Sequence, residues 1–277
     1  MISAEISCNL CGQKNFKVIE QDDPPFKVLR CEDCSLVFVY PLPDRTELEE
    51  HYDDSYYCDW VHSQKESRVR MWNQRLNRLQ RFPPRGKLLD VGCGEGTFLQ
   101  LAKGGGWQIS GTELSTYAAK YAAKVSGADI FCGELPDAGY PKNSFDVVTM
   151  WHVLEHVRDP NGYLKEVHRI LKPDGLLVLA VPNRNDLVMQ IAYRIIKRRK
   201  MKLFSKDERE VHLYHFSAST IKAYLDKTGF ECLRLSPDFG IIEPSKRLIN
   251  TISVIPYYLA RIRIFNAIEI YAAPRKQ

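Results

Sequence analysis

With 277 residues, 44% of them hydrophobic and 26% charged, the chain can bury a large core, one main domain with a smaller one beside it. Its net charge of +5, from 39 basic and 34 acidic residues, is too mild to imply a nucleic-acid partner without a local basic patch. Met1–Glu5 shows no basic region followed by an apolar stretch, and no run of about 18 apolar residues occurs, so neither a signal peptide nor a spanning helix is expected. The eight cysteines are then read as reduced, in a cytoplasmic protein, with metal binding considered before disulfides.

Cys8-x-x-Cys11 and Cys31-x-x-Cys34 are two thiol knuckles separated by 19 residues, followed by Gly12 and Ser35. Four thiolates at this spacing suit one tetrahedral Zn²⁺ with no open position, a structural zinc ribbon over residues 1–45. A segment of about 40 residues cannot make an adequate core, so a metal would supply the missing stability. Residues 46–82 read as a linker and an amphipathic helix. Tyr52, Tyr56 and Tyr57 cluster there, and Tyr56 and Tyr57 are candidates for a substrate mouth or for packing between domains. Ser63-x-x-Glu66 is a capping box, Val69, Trp72, Leu76 and Leu79 repeat at helical spacing, and Pro83-Pro84 stop the helix. Its arginines at 68, 70, 75, 78 and 81 form a solvated face or a seat for a phosphate-bearing substrate.

Leu88-Leu89-Asp90-Val91 is a short buried strand, Gly92, Gly94 and Gly96 make a turn free of side chains, and a helix opens at about Thr97. Such a turn lets a ligand lie against the backbone and in front of the unpaired N–H groups of the helix. The dinucleotide pattern G-x-G-x-x-G would put its third glycine where Thr97 stands, which disfavours a nicotinamide dehydrogenase. The next strand, 107–113, ends in Glu113, 19 residues after Gly94, where a carboxylate can accept from both hydroxyls of a ribose. Helices at about 97–102 and 117–125, a strand at 129–132, a strand at 144–151, a helix at 161–171, a turn at Lys172–Gly175 and a strand at 176–181 follow. The order βαβαβαβαβ with short connections predicts a doubly wound α/β sheet, and strands at 230–235 and 267–273 bring it to seven, mostly parallel and Rossmann-like.

His152, Glu155 and His156 fall at the C-terminal edge of the strand ending in Trp151, where open α/β sheets bind ligands. His152 and His156 are one helical turn apart. Their order, H-V-L-E-H, misplaces the glutamate for a metalloprotease H-E-x-x-H site, so a metal is not expected on that pair. Residues 184–210 read as a lid-like insertion. Val188, Ile191 and Ile195 have helical spacing and run into Arg194, Lys197, Arg198, Arg199, Lys200 and Lys202. Residues 187–202 could lie on an anionic membrane surface, close over a site, or be solvated. Residues 241–264 mix apolar and basic residues, as a helical cover or a surface-binding segment.

The segments "LLDVGCGEGTFL", "ISGTELS", "SFDVVTMWHVLEHVRDP" and "LKPDGLLVLAVPN" resemble the class I S-adenosylmethionine-dependent methyltransferases, over about residues 86–183. "RCEDCSLVFVYPLPD" and the tyrosines after it resemble members of the type 11, 12 and 23 methyltransferase group that carry paired cysteine knuckles and act on antibiotic and surface-polysaccharide sugars. The resemblance implies S-adenosyl-L-methionine as cofactor and a methyltransferase domain over 83–277. It implies cofactor contacts from Asp90, Gly92, Gly94, Gly96, Glu113 and Leu114, from Glu134 and Leu135 beside adenine, and from Trp151 and His152 near the methionine half. It also places the "H-x-x-H-F-S" turn, with His212 at the substrate and His215 as a catalytic candidate, at the acceptor site. A hydroxyl acceptor must lose a proton, and His156 or His152 is the expected base.

The function expected is methyl transfer to a small-molecule acceptor such as a sugar or glycan precursor. One alternative is an RNA-modifying methyltransferase gripping phosphates with the ribbon and the basic cluster, against which Lys14, Lys17, Lys27 and Arg30 face six acids in the ribbon. A non-catalytic cofactor-binding scaffold is the other.

Overall fold

The computed structural model describes residues 6–21, 23–44, 65–82, 86–206, 211–238, 240 and 244–276, with side chains from 250 in the last stretch. Tyr56, Tyr57, Ser63 and Pro83-Pro84 lie outside the described residues. In chain order the elements are β1 (Phe16–Glu20), β2 (Lys27–Cys31), β3 (Val37–Tyr40), α1 (Lys65–Leu79), β4 (Lys87–Val91), α2 (Thr97–Gly104) and β5 (Gln108–Glu113). Then come α3 (Thr116–Ser126), β6 (Asp129–Cys132), β7 (Phe145–Trp151), α4 (Pro160–Ile170), β8 (Leu171–Pro182) and α5 (Leu187–Lys197). The last are β9 (Tyr214–His215), α6 (Ala218–Lys227), β10 (Phe230–Pro237), α7 (Pro244–Ala260) and β11 (Ala267–Pro274).

Successive residues of a strand point to opposite faces, and here both faces are apolar. Leu88, Val147, Leu176, Val178 and Ala180 pack with Leu76 and Leu79 of α1, Phe98, Leu99 and Ala102 of α2, and Ala122 of α3. Leu89, Val91, Val148, Met150, Leu177, Leu179 and Val181 pack with Leu164 and Val167 of α4, Ile221 and Leu225 of α6, and Val254 of α7. All seven residues of β7 are buried, as a strand covered on both sides must be. The main sheet runs β10-β11-β8-β7-β4-β5-β6. β4 pairs in parallel with both β5 and β7, so chain order reverses there and a crevice opens above its C-terminal end. Among the described residues, only the β11 pairs with β8 and β10 are antiparallel in this sheet.

The expected turn Lys172–Gly175 is instead a bulge inside β8. The strand begins at Leu171, opposite Phe145, and its next partner pair is Val147 with Leu176. Lys172 Nζ holds Asp146 Oδ1 at 2.6 Å, and the other Asp146 oxygen accepts from the Lys87 amide at 2.7 Å, which secures the bulge to the start of β4.

The N-terminal sheet, β1-β2-β3-β9, is antiparallel and draws its fourth strand from far along the chain. Val37 pairs with His215 and Phe38 with Tyr214. Tyr224 Oη donates to Asn9 at 3.0 Å, Lys227 Nζ to the Leu10 carbonyl at 2.6 Å, and the Leu203 and Phe204 amides to Glu20 at 3.0–3.1 Å. The ribbon is thus joined to the large sheet on the same side as the "H-x-x-H-F-S" turn.

Helix α1 does not present all its arginines to water. Arg68 and Arg75 are 3% and 2% exposed, Arg68 on Glu95 at 3.4 Å. They lie on the stripe that carries Trp72, Leu76 and Leu79, where period 3.6 puts positions 68, 72, 75 and 79 on one face. Helices α5 and α7 lie against each other. Among the described residues no helix is long and apolar enough to cross a membrane.

Candidate active site

The glycine turn after β4 is held from behind. Gly92, Gly94 and Gly96 have φ of +68°, +54° and +78°, a region that side chains other than glycine's rarely adopt. A Cβ on Gly92 would meet Val153 at 2.7 Å, and one on Gly96 would meet the Ala122 backbone at 2.8 Å. A Cβ on Gly94 would meet nothing within 4 Å, so the turn is packed on two sides and open in the middle. Glu113, 4% exposed, borders that opening from the tip of β5. Its Oε2 accepts from the Gly94 amide at 2.9 Å and its Oε1 from the Ser115 amide at 3.0 Å. A carboxylate oxygen has two lone pairs, so each retains acceptor capacity for a ribose hydroxyl.

The other cofactor candidates are placed around this opening to different degrees. Asp90 is buried beneath the turn, accepting from Thr149 Oγ1 at 2.6 Å, and burial raises its pKa to about 7. Leu114 and Glu134 are half-buried. Leu135 is 0% exposed in the core, so only its backbone is available to a base. Trp151 is 7% exposed and packs edge-on against Phe98 and Trp72.

At the C-terminal end of β7, His152 and His156 do not share a helical face, because the segment after His152 turns instead of coiling and the His156 amide bonds back to the Val153 carbonyl at 2.9 Å. His152, with φ +57°, has Nε2 3.3 Å from Asp238 and Nδ1 3.5 Å from Glu155. Burial opposes charge on this ring, but the two carboxylates prevail and raise its pKa to about 9. His152 is therefore an imidazolium at neutral pH, a donor and not the proton acceptor expected of it. Asp238 is shared with Arg75 at 2.5 Å, and these partners keep it ionised despite its burial. Arg75 in turn lies between the rings of Trp72 and Trp151, at 4.8 and 4.5 Å.

Glu155, 1% exposed, sits between His152 and a second group of histidines. His156 Nδ1 lies 2.9 Å from the Val211 carbonyl, and its ring is 4.9 Å from that of His212. His215 is 6.3 Å further, ring to ring, and is committed to the β3–β9 pairing. Burial and the nearby His212 and Arg184 lower its pKa to about 3, so it is neutral but too weak to serve as the base, a second correction to the sequence reading.

A model of a methyltransferase domain family matches residues 62–235, which spans the glycine turn, Glu113 and the β7 edge. The chain belongs to this methyltransferase family. It is 37% identical over 106 residues to a ubiquinone biosynthesis O-methyltransferase of Thiobacillus denitrificans, covering 36% of this chain and 45% of that one. It is 34% identical over 113 residues to the 2-methyl-6-phytyl-1,4-hydroquinone methyltransferase of Synechocystis sp., covering 39% and 36%. The match thus spans less than half the length of either relative. In fold it is similar to the magnesium protoporphyrin IX methyltransferase of Synechocystis solved with bound SAH, with TM-score 0.59, 14% identity and coverage of 84% and 100%. It is also similar to an S-adenosylmethionine-dependent methyltransferase of Thermotoga maritima described as a possible histamine N-methyltransferase, with TM-score 0.54, 20% identity and coverage of 83% and 99%.

The methyltransferase brings its four ribbon cysteines together. Cys8 Sγ is 3.5 Å from Cys34 Sγ and Cys11 Sγ is 3.5 Å from Cys31 Sγ, and all four sulfurs lie within 4.8 Å of one another. Sulfurs around a tetrahedral Zn²⁺ at ~2.3 Å are about 3.8 Å apart, so the donor set fits such an ion. The two knuckles share one backbone turn: Gly12 N bonds to Cys8 O and Ser35 N to Cys31 O, with Gly12 and Ser35 both at positive φ. Burial pushes the Cys8 thiol up to about 11, and a cation is the group that offsets this.

Of two further members of the site, the sequence reading placed Arg75 only within an arginine face and did not name Asp238. Arg75 was legible in principle, as an arginine on the apolar stripe of α1. Asp238 carries no motif; it reaches the site because β10 ends beside β11, where its amide bonds the Ala267 carbonyl at 2.8 Å.

Proposed function

We propose that the methyltransferase transfers the methyl group of S-adenosylmethionine to a hydroxyl of a small molecule seated above the C-terminal ends of β4 and β7, with a sugar or glycan precursor as the leading acceptor. One observation carries this reading: the open face of Gly94 is bounded by the Glu113 carboxylate, and the next strand edge presents Glu155, His156 and His212. When bound, the cofactor supplies a methyl group already activated by its sulfonium. Glu113 accepts from the ribose hydroxyls, Leu114 and Glu134 flank the base, and Trp151 borders the methionine half. His152, fixed by Asp238 and Glu155, is a positioning group that donates toward the bound molecules. The protein's task is then to hold the acceptor oxygen in line with the methyl group and keep water out. The acceptor proton leaves on the side of Glu155, His156 and His212.

The ribbon's likeness to sugar-modifying methyltransferases supports a sugar acceptor. The names of the two matched relatives favour a second reading, a quinol. The surface of α5 and α7 is compatible with an acceptor drawn from a lipid phase. Ile191, Ile195, Ile196, Tyr258 and Leu259 are 50–82% exposed there, beside the cationic residues 194–202. This patch supports peripheral contact of residues 187–202 with an anionic membrane surface. The four cysteines are assigned one structural Zn²⁺.

Thermal shift separates the cofactor reading from its rivals. S-adenosylhomocysteine at about a hundred times its Kd is expected to stabilise the chain by ~2.7 kcal/mol, and NAD not at all. Stabilisation by NAD alone would overturn the reading. Turnover on nucleotide sugars against quinols then decides the acceptor class, and sedimentation with phosphatidylglycerol vesicles tests the patch.

A further inference from the structure

Helix α1 carries two sets of arginines. Arg68 and Arg75 are buried, whereas Arg78 and Arg81 line a pocket of about 560 Å³ between α1, the end of β10 and α7. Positions 74, 77, 78 and 81 share one face at helical spacing, and all four border that pocket. Arg234 and Ser236, two apart on β10 and so on the same side of the strand, supply the sheet wall, and Asn250 comes from α7. The volume suits a small molecule, and the described lining holds three guanidinium groups and no carboxylate.

Arg78 is tied at 2.5 Å to Glu269, which is 0% exposed, so that pair offers little net charge. Arg81 and Arg234 have no acidic partner among the described residues, and Arg234 lies 5.8 Å from the centre of the Tyr271 ring. Ser236 is 6% exposed, and its hydroxyl has no hydrogen-bond partner among the described residues. A buried hydroxyl without a partner is costly, and an acceptor oxygen seated in the pocket removes that cost. Asn250, 4% exposed, accepts from Ser253 through Oδ1 at 3.3 Å, which leaves its NH₂ to donate. The pocket therefore offers donors and positive charge to a ligand rich in acceptor oxygens, and phosphate has that chemistry.

We propose that this pocket binds a phosphate or diphosphate group carried by the methyl acceptor, with Arg81, Arg234 and Ser236 as its main contacts. β10 is antiparallel to β11 and β11 to β8, so β10 ends at the same edge of the sheet as β7 and β8. The pocket is also continuous with residues that hold His152. Arg78 is one helical turn from Arg75, and Pro237 precedes Asp238; Arg75 and Asp238 bind each other, and Asp238 binds His152. Assignment of the group to the acceptor rests on the methyl-transfer reading and narrows it to a phosphorylated compound, such as a sugar linked to a nucleoside diphosphate. Binding of phosphate itself does not rest on that reading. A quinol carries no such group, whereas a phospholipid headgroup does.

The test uses the full chain, purified with Zn²⁺ and freed of excess metal, and titrates it calorimetrically with pyrophosphate. The wild type is expected to bind it with an affinity that falls as salt rises. The double variant Arg81→Gln with Arg234→Gln should bind about tenfold or more weakly, and Ser236→Ala should show a smaller loss. Arg81 and Arg234 are exposed, so their replacement leaves folding intact, and unchanged affinity for S-adenosylhomocysteine checks this. With a nucleoside-diphosphate sugar as acceptor, the double variant should raise KM by a similar factor and leave kcat unchanged. No pyrophosphate binding, or equal affinity in the wild type and the double variant, overturns the site. Pyrophosphate binding without methyl transfer to any phosphorylated acceptor would uphold the site and overturn its assignment to the acceptor. Displacement of pyrophosphate by phosphatidylglycerol vesicles but not by the nucleoside-diphosphate sugar would overturn that assignment in favour of a lipid headgroup.

Discussion

The halves of the crevice that we propose for the cofactor and for the acceptor are built by different means. The cofactor half comes from consecutive strand-to-helix turns, Asp90 to Gly96, Glu113 to Ser115 and Glu134 to Leu135, and works largely through backbone amides and one carboxylate. The acceptor half is assembled from side chains at 75, 152–156, 211–215 and 238, on elements that meet only in the folded chain. The first is secured by local glycine geometry. The second depends on α1, on the end of β10 and on the ribbon, because β9 pairs with β3 and carries the His212–His215 turn.

That contrast can be broken most forcefully at the ribbon. A chelator would remove the Zn²⁺ we propose for its four cysteines, and with it a contribution on the order of 10 kcal/mol in small zinc modules. The expected outcome is a large fall in Tm and loss of acceptor turnover, with affinity for S-adenosylhomocysteine retained by the β4–β6 turns. If calorimetry shows both affinities falling together, the halves are not separable. Next in size is Asp238→Ala, which strands the buried Arg75 without a counter-ion and should cost about 3–5 kcal/mol in urea unfolding. A cost under 1 kcal/mol would show that Arg75 finds water or another partner. Glu113→Ala removes hydrogen bonds worth roughly 1.5–3 kcal/mol to a charged acceptor, so cofactor affinity should drop about 10- to 100-fold with acceptor binding untouched. An unaltered affinity would take Glu113 out of the site.

The most gradual effect, spread over several pH units, concerns Asp90. Burial raises its folded pKa to about 7, above the unfolded value near 3.8. Between those values the folded chain holds a proton that the unfolded chain has shed, so this group's contribution to stability declines as pH rises through the window and is fully lost above it. The slope is at most about 1.4 kcal/mol per pH unit. Asp90→Asn keeps an acceptor for Thr149 and carries no such slope. Its stability relative to the wild type should therefore improve between pH 5 and pH 8, and a constant difference would show Asp90 ionised throughout.

Much of this molecule was readable before any coordinate. The alternation of Leu88 and Leu89, or of Val147 and Val148, marks strands covered on both faces, and the spacing of Gly92, Gly94 and Gly96 before Glu113 marks a glycine turn that meets a carboxylate. The two cysteine knuckles declare four thiols in one place. These features are local: a period of two, a turn that needs positive φ and a two-residue gap between thiols are each set within a few residues, so the sequence alone determined them.

Side-chain charge and company were not local. Arg68 and Arg75 read as a solvated face or a phosphate seat and are buried; His152 and His156 read as one helical face and turn to different partners; His215 read as a base and is desolvated. Only the tertiary structure decided these, because burial and the approach of Asp238, Val211 and His212 across 55 to 86 residues of chain set both the pKa of a histidine and the direction in which it points.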